Sequence, residues 1–153
     1  MATNPGRAAY KGAIERLSGP NPEPLVMKHN PFATSLEAAI MSVNLENKTL
    51  RARFNPGAQY LQGAGVLQGG ILATMLDFSM AFITLAVLPE DLSCATAQLN
   101  IHYLKAAQPG LYYAQSGVEK SGKRLVFTYA NLIPDGGSEP VASATAVFTV
   151  LGN

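Results

Sequence analysis

Asp77 is the one charged residue in a run of otherwise apolar and small side chains from Ile71 to Leu88. A carboxylate taken into apolar surroundings is costly unless it has a partner or a task, and the tasks open to it are nucleophilic attack and general-base catalysis. The stretch before it, Gln62-Gly63-Ala64-Gly65-Val66-Leu67-Gln68-Gly69-Gly70, is a glycine-rich turn leading into that run. At the start of a helix such a turn offers unpaired backbone N–H groups and the positive end of the helix dipole, which stabilise negative charge developing on a carbonyl oxygen. Asp77 as the acid, Gly69 as the N–H donor and Gln62, whose amide both donates and accepts, are therefore the candidate catalytic residues. The plain alternatives are an Asp77 hydrogen-bonded to Ser79 or Thr74, a turn in which glycine only relieves the backbone, and a solvated Gln62.

Positioning those groups requires a helix from about Gly69 to Val87, stopped by Pro89. Its apolar residues lie on nearly every side, so the spacing predicts a helix enclosed by other structure. Phe78 and Phe82, one turn apart on it, are candidates to line an apolar pocket, while Tyr103 reads as a core aromatic. Glu37 to Leu45 and Thr49 to Phe54 flank Glu46-Asn47-Lys48 as a hairpin. Thr96 to Leu104, Leu111 to Lys120, Arg124 to Ile133 and Pro140 to Leu151 read as further strands, with turn residues at Pro109-Gly110, Ser121-Gly122 and Asp135-Gly136-Gly137. Ahead of them, Tyr10, Ile14 and Leu17 recur at helical spacing within residues 7–17, Pro20-Asn21-Pro22-Glu23-Pro24 is an extended connector, and Asn30-Pro31-Phe32 is a brief turn. One long helix and about five or six antiparallel strands bury that helix only if the sheet curls round it, which gives an α+β architecture. Residues 1–34 then form an N-terminal helix and connector, and residues 35–153 a single domain.

The 153 residues suit one domain with a real core, and the composition is 48% hydrophobic but only 14% charged. That is well below the usual charged share of about 25%, so some apolar surface is expected to cover a partner chain or a lipophilic ligand. Net charge is +1 without basic runs, which leaves no electrostatic footprint for nucleic acid or an anionic membrane. A single cysteine, Cys94, and the lack of any Cys/His cluster point to no intrachain disulfide and no metal site. The first thirty residues lack the apolar core of a signal peptide, and polar interruptions in residues 71–88 argue against a membrane span, so the expected location is the cytoplasm.

From about Leu36 to Val150 the chain resembles the hotdog-fold acyl-CoA thioesterases of the phenylacetate-pathway type and their 4-hydroxybenzoyl-CoA thioesterase relatives. Gln62 stands at that family's Asn/Gln position, Gly69-Gly70 at its glycine pair and Asp77 at its acid position, followed by Leu76-Asp77-Phe78-Ser79-Met80-Ala81. Gln98-Leu99-Asn100-Ile101-His102-Tyr103-Leu104-Lys105 and Val141-Ala142-Ser143-Ala144-Thr145-Ala146-Val147-Phe148 are similar to its third and last strands. The His that usually precedes the glycine pair is Gln68 here, which keeps hydrogen-bonding capacity but cannot titrate near neutrality. The resemblance implies a hotdog fold and hydrolysis of an acyl-CoA to a carboxylic acid and free CoA, without a cofactor beyond the CoA of the substrate. It implies a homo-oligomer, a dimer or a dimer of dimers, with Asp77 of one subunit facing Gln62 and Gly69 of another. Gln68, Gly70, Phe78 and Phe82 are then expected to contact substrate. Lys123 and Arg124, ahead of Lys105 and Lys120, are the candidates for the CoA phosphates. A non-catalytic acyl-CoA or lipid-binding hotdog protein is the competing reading, and a hotdog enoyl-CoA hydratase a more distant one, since no His follows Asp77 at the hydratase spacing.

Overall fold

The computed structural model describes residues 5–152. Its chain order is α1 (Pro5–Leu17), β1 (Leu25–Val26), α2 (Pro31–Ser35), β2 (Ala39–Asn44), β3 (Thr49–Phe54), a 3-10 turn at Ala58–Tyr60, α3 (Gly69–Val87), β4 (Leu92–Tyr103), β5 (Tyr112–Ser121), β6 (Leu125–Pro134) and β7 (Ala142–Gly152). The strands form one antiparallel sheet in the order β1-β2-β3-β5-β6-β7-β4, and α3 lies across its inner face. This is the hotdog arrangement expected from the sequence, with seven strands instead of five or six. The addition is the two-residue β1, in which Leu25 and Val26 pair with Ile40 and Ala39 at the end of the proline-rich connector. Two residues carry no readable alternation. The fourth strand also begins earlier than expected, at Leu92, because β7 runs on to Gly152 and pairs with it.

The sheet accepts the helix because its inward positions are small where the helix crosses. Ala114, Ala130, Ala142, Ala144 and Ala146 are buried beside Val126, Leu132 and Phe148, and the helix sets Leu72, Met75, Leu76, Met80 and Ile83 into the same core. Alternation along β6 is strict, with Val126, Thr128, Ala130 and Leu132 inward and Leu125, Phe127 and Tyr129 outward. Two polar groups are buried on the inward side of α3. Ser79 donates to Ser116 Oγ at 2.9 Å and Ser116 donates back to the Ser79 carbonyl at 3.0 Å, so a closed pair stitches α3 to β5. Thr84 donates to the Met80 carbonyl one turn behind it at 2.8 Å.

The expectation that α3 is enclosed on nearly every side is corrected. Its inward half is buried, but Ile71, Thr74, Phe78, Ala81 and Leu85 form a half-exposed stripe at helical spacing along the opposite side. All-round apolarity reported that the helix is screened, without saying whether its own chain does the screening. Part of the cover comes from the N-terminal helices. Tyr10, Ala13, Ile14 and Leu17 of α1 are buried in the main core, and the Tyr10 hydroxyl donates to the Phe82 carbonyl at 2.6 Å. Burial pushes that phenol's pKa up. Helix α2, capped by Asn30 through the Phe32 and Ala33 N–H groups, places Phe32 edge-on to Phe78.

Candidate active site

The start of α3 is built by its cap. Gln68 is the N-cap, its Oε1 accepting the Gly70 N–H at 2.6 Å and its carbonyl accepting the Ile71 N–H at 2.9 Å. The preceding loop is closed on itself by a Leu61–Leu67 bridge, by Gln62 N–H on the Val66 carbonyl and by Gln68 N–H on the Tyr60 carbonyl. Gly65 sits at φ +77 in that loop, a left-handed backbone that suits glycine. Gln62 is exposed and its Oε1 accepts the Ala64 N–H at 2.9 Å. Among the described residues no bond takes up the Gly69 N–H, the first in the series of helix-start donors that have no intrahelical acceptor.

Asp77 lies two turns on, half-buried. Its Oδ1 accepts from the Thr96 hydroxyl at 2.8 Å, which was not foreseen: Thr74 donates to the Gly70 carbonyl and Ser79 to Ser116, so neither neighbour holds it. Burial raises the Asp77 pKa above the usual carboxylate range, and the Thr96 hydrogen bond draws it part of the way back. The carboxylate therefore holds a proton more tightly than an ordinary aspartate and keeps its Oδ2 clear of the Thr96 contact.

A second tie between α3 and β4 joins the helix start to the other end of the strand. Tyr103, expected in the core, is 55% exposed, and its hydroxyl donates to the Gly69 carbonyl at 3.0 Å. Thr96 and Tyr103 face the same side only because of a bulge. Thr96 pairs with Phe148 and Tyr103 with Ala142, both buried on the helix side, while the register shifts between Thr96 and Gln98. Without that extra residue, seven positions of separation would put the two side chains on opposite faces. Sequence reading had no signal for either tie beyond the residue types, because both depend on which strand the helix happens to lie beside.

The remaining candidates are dispersed. Phe78 and Phe82 stack at 5.8 Å between ring centroids, nearly parallel, with Phe82 buried and Phe78 half-exposed. Gly70 is committed to the Gln68 cap. Lys123 and Arg124 occupy the exposed β5–β6 turn, at the end of the sheet where Leu125, Thr149 and Ala95 lie in one cross-strand row, close in level to Thr96 and two strands away from β4. Lys105 pairs with Glu139. No group of three or more His, Cys, Asp or Glu side chains able to hold a metal lies among the described residues.

The thioesterase superfamily model matches residues 64–141, from the glycine turn through the last turn before β7. The chain belongs to the thioesterase superfamily. Its resemblance extends to solved structures, among them a phenylacetic acid degradation-related protein of Ralstonia eutropha JMP134, 32% identical, with a TM-score of 0.74 over 80% of this chain and 93% of that one. A Bacillus halodurans protein solved with CoA is also 32% identical, with a TM-score of 0.62 over 66% of each chain. A Saccharolobus solfataricus protein that bears a provisional esterase name is 28% identical over 106 residues, 69% of each chain. As a member of this superfamily the protein is a thioester hydrolase of the hotdog fold.

Proposed function

We propose that the thioester is an acyl-CoA and that Asp77 is the general base of its hydrolysis. The observation that carries this reading is the half-buried Asp77 carboxylate, held by Thr96 and raised in proton affinity, beside the half-exposed stripe of α3. A base is most effective when its pKa approaches the working pH, and burial moves Asp77 in that direction. In the proposed step Asp77 Oδ2 takes a proton from water as the water oxygen bonds to the thioester carbon. The oxyanion is received by the Gly69 N–H, and the C–S bond then breaks, with the sulfur leaving as thiol on the proton that Asp77 had taken up, which restores the carboxylate. Gln62 and the Gln68 amide orient water and substrate, Phe78 and Phe82 flank the acyl group, and Lys123 and Arg124 meet the CoA phosphates. Asp77 as a nucleophile is distinguished by mass: a quenched single turnover would then show the acyl group on the protein.

Asp77 and Gly69 of one chain cannot serve one carbonyl. Eight residues of α3 separate them by about 12 Å along the helix axis, whereas the carbonyl oxygen must lie about 3 Å from the Gly69 N–H and its carbon about 3 Å from the single water that Asp77 holds. A second copy removes the difficulty. Strand β4 is an edge of the sheet, twelve residues long, uncharged and largely exposed from Ala95 to Tyr103, which is the description of a strand-pairing surface. Antiparallel pairing of two β4 strands about a two-fold axis at Asn100, with Ala97 bulged out as it is against β7, sets Thr96 opposite Tyr103 of the partner subunit. Asp77 of one subunit then faces the glycine turn of the other. The enzyme is thus read as a dimer or a dimer of dimers, working in the cytoplasm with no metal or redox cofactor.

Gln68, in place of the usual His, favours a second reading in which the protein binds acyl-CoA without turning it over. A thiol-release assay across short, medium, long and aryl acyl-CoAs separates the two. Turnover of at least one substrate is the expected result, and binding without thiol release would overturn hydrolysis.

A further inference from the structure

We infer that Tyr103 is a positioning residue that fixes the oxyanion donor; the inference rests on the reading of Gly69 as that donor. Two independent contacts carry it. The Tyr103 hydroxyl donates to the Gly69 carbonyl at 3.0 Å, so the residue that presents the N–H is anchored through its carbonyl to the far end of β4. The ring also lies beside Gly69: a Cβ there would stand 3.3 Å from Cε1 and Cζ and 3.4 Å from the hydroxyl oxygen. Gly69 has no left-handed φ that would demand glycine. What crowds a side chain at position 69 is therefore the Tyr103 ring, which would have to give by a few tenths of an ångström, and not backbone conformation.

The hydroxyl and the ring act in different directions. A hydrogen bond to the carbonyl draws the Gly69 residue toward β4, while the ring fills the space beside it into which a Cβ would project. Together they restrict where the first helical residue can sit, as an oxyanion donor requires. The same ring walls a slot of about 340 Å³ with Val66, Leu67, Leu72 and Leu104, opening beside Gly69. Tyr103 itself is more than half exposed, so the fold does not need it as a core residue.

The test is kinetic, with Tyr103→Phe, Tyr103→Ala, Gly69→Ala and the Tyr103→Ala/Gly69→Ala pair assayed for thiol release and melting temperature. Tyr103→Phe keeps the ring and loses the bond, and kcat should fall roughly three- to tenfold, the scale of one neutral hydrogen bond, with KM within about twofold. Gly69→Ala should cost about tenfold or more beside the intact ring, because a displaced oxyanion donor is worth up to 10²–10³. Added to Tyr103→Ala, the same methyl should cost less than about threefold, a coupling that a purely structural role would not produce. An unchanged kcat in Tyr103→Phe, or a Gly69→Ala loss that is the same with and without the ring, would overturn the inference. Absence of thiol release from the wild-type protein would instead overturn the hydrolase reading beneath it, an outcome no comparison among variants can mimic.

Discussion

At the scale of single residues, the proposed chemistry turns on one carboxylate whose environment was half legible. That Asp77 stands in apolar surroundings could be read from its isolation in the run; that Thr96 holds it could not, because the partner lies 19 residues away on a strand whose neighbour is set by a crossover. Asp77→Asn keeps the shape and the acceptor for Thr96 while removing the charge. Thiol release should fall by at least about 10²-fold with folding intact, and near-normal turnover by a well-folded variant would rule out Asp77 as base. Stability gives a second readout with a definite sign. Because burial raises the Asp77 pKa above its usual 3.8, the folded protein binds the proton more tightly than the unfolded chain. Its contribution is fully present below the usual value and is lost as pH rises through the raised one. Asp77→Asn should therefore melt above the wild type near neutrality, the gap closing as the pH is lowered toward the usual carboxylate range. A gap independent of pH would contradict a raised pKa.

At the scale of elements, α3 was the most legible part of the chain and also the most overread. Its start, length and stop followed from the glycine pair, the apolar run and Pro89, but the cap made by Gln68 did not, and where all-round apolarity predicts full enclosure the stripe through Ile71, Phe78 and Leu85 is half-exposed. Strand β4 was read with the wrong start, and nothing in its sequence announced the bulge at Ala97 that turns Thr96 and Tyr103 to one side. Tyr103 looked like core because an aromatic in an alternating strand usually is; at a sheet edge half of it is left outside. The tie between α3 and β5 permits a stability test. Ser116→Ala leaves the buried Ser79 hydroxyl without its acceptor and should cost about 1–3 kcal/mol, while Ser79→Ala with Ser116→Ala should cost less than the sum of the two. Additive losses in denaturant melts would show that the two hydroxyls do not act as a pair.

At the scale of the whole molecule, low charge leads to the expectation that some surface is covered, and the proposed place is the open, uncharged β4 edge. The sequence held no register for that pairing, since register follows from where the helix ties fall along the strand. Asn100→Lys puts like charges beside the proposed two-fold axis, so sedimentation should shift toward monomer and thiol release should fall with it. A fully active monomer would separate activity from assembly. The most direct measurement is complementation between two inactive chains, Asp77→Asn and Gly69→Val. Mixed under exchange, they form heterodimers in which one of the two sites joins an intact Asp77 to an intact Gly69. Activity should then rise from near zero toward about a quarter of the wild-type value, as random pairing of subunits dictates. A mixture no more active than its separate components would contradict a site shared between subunits.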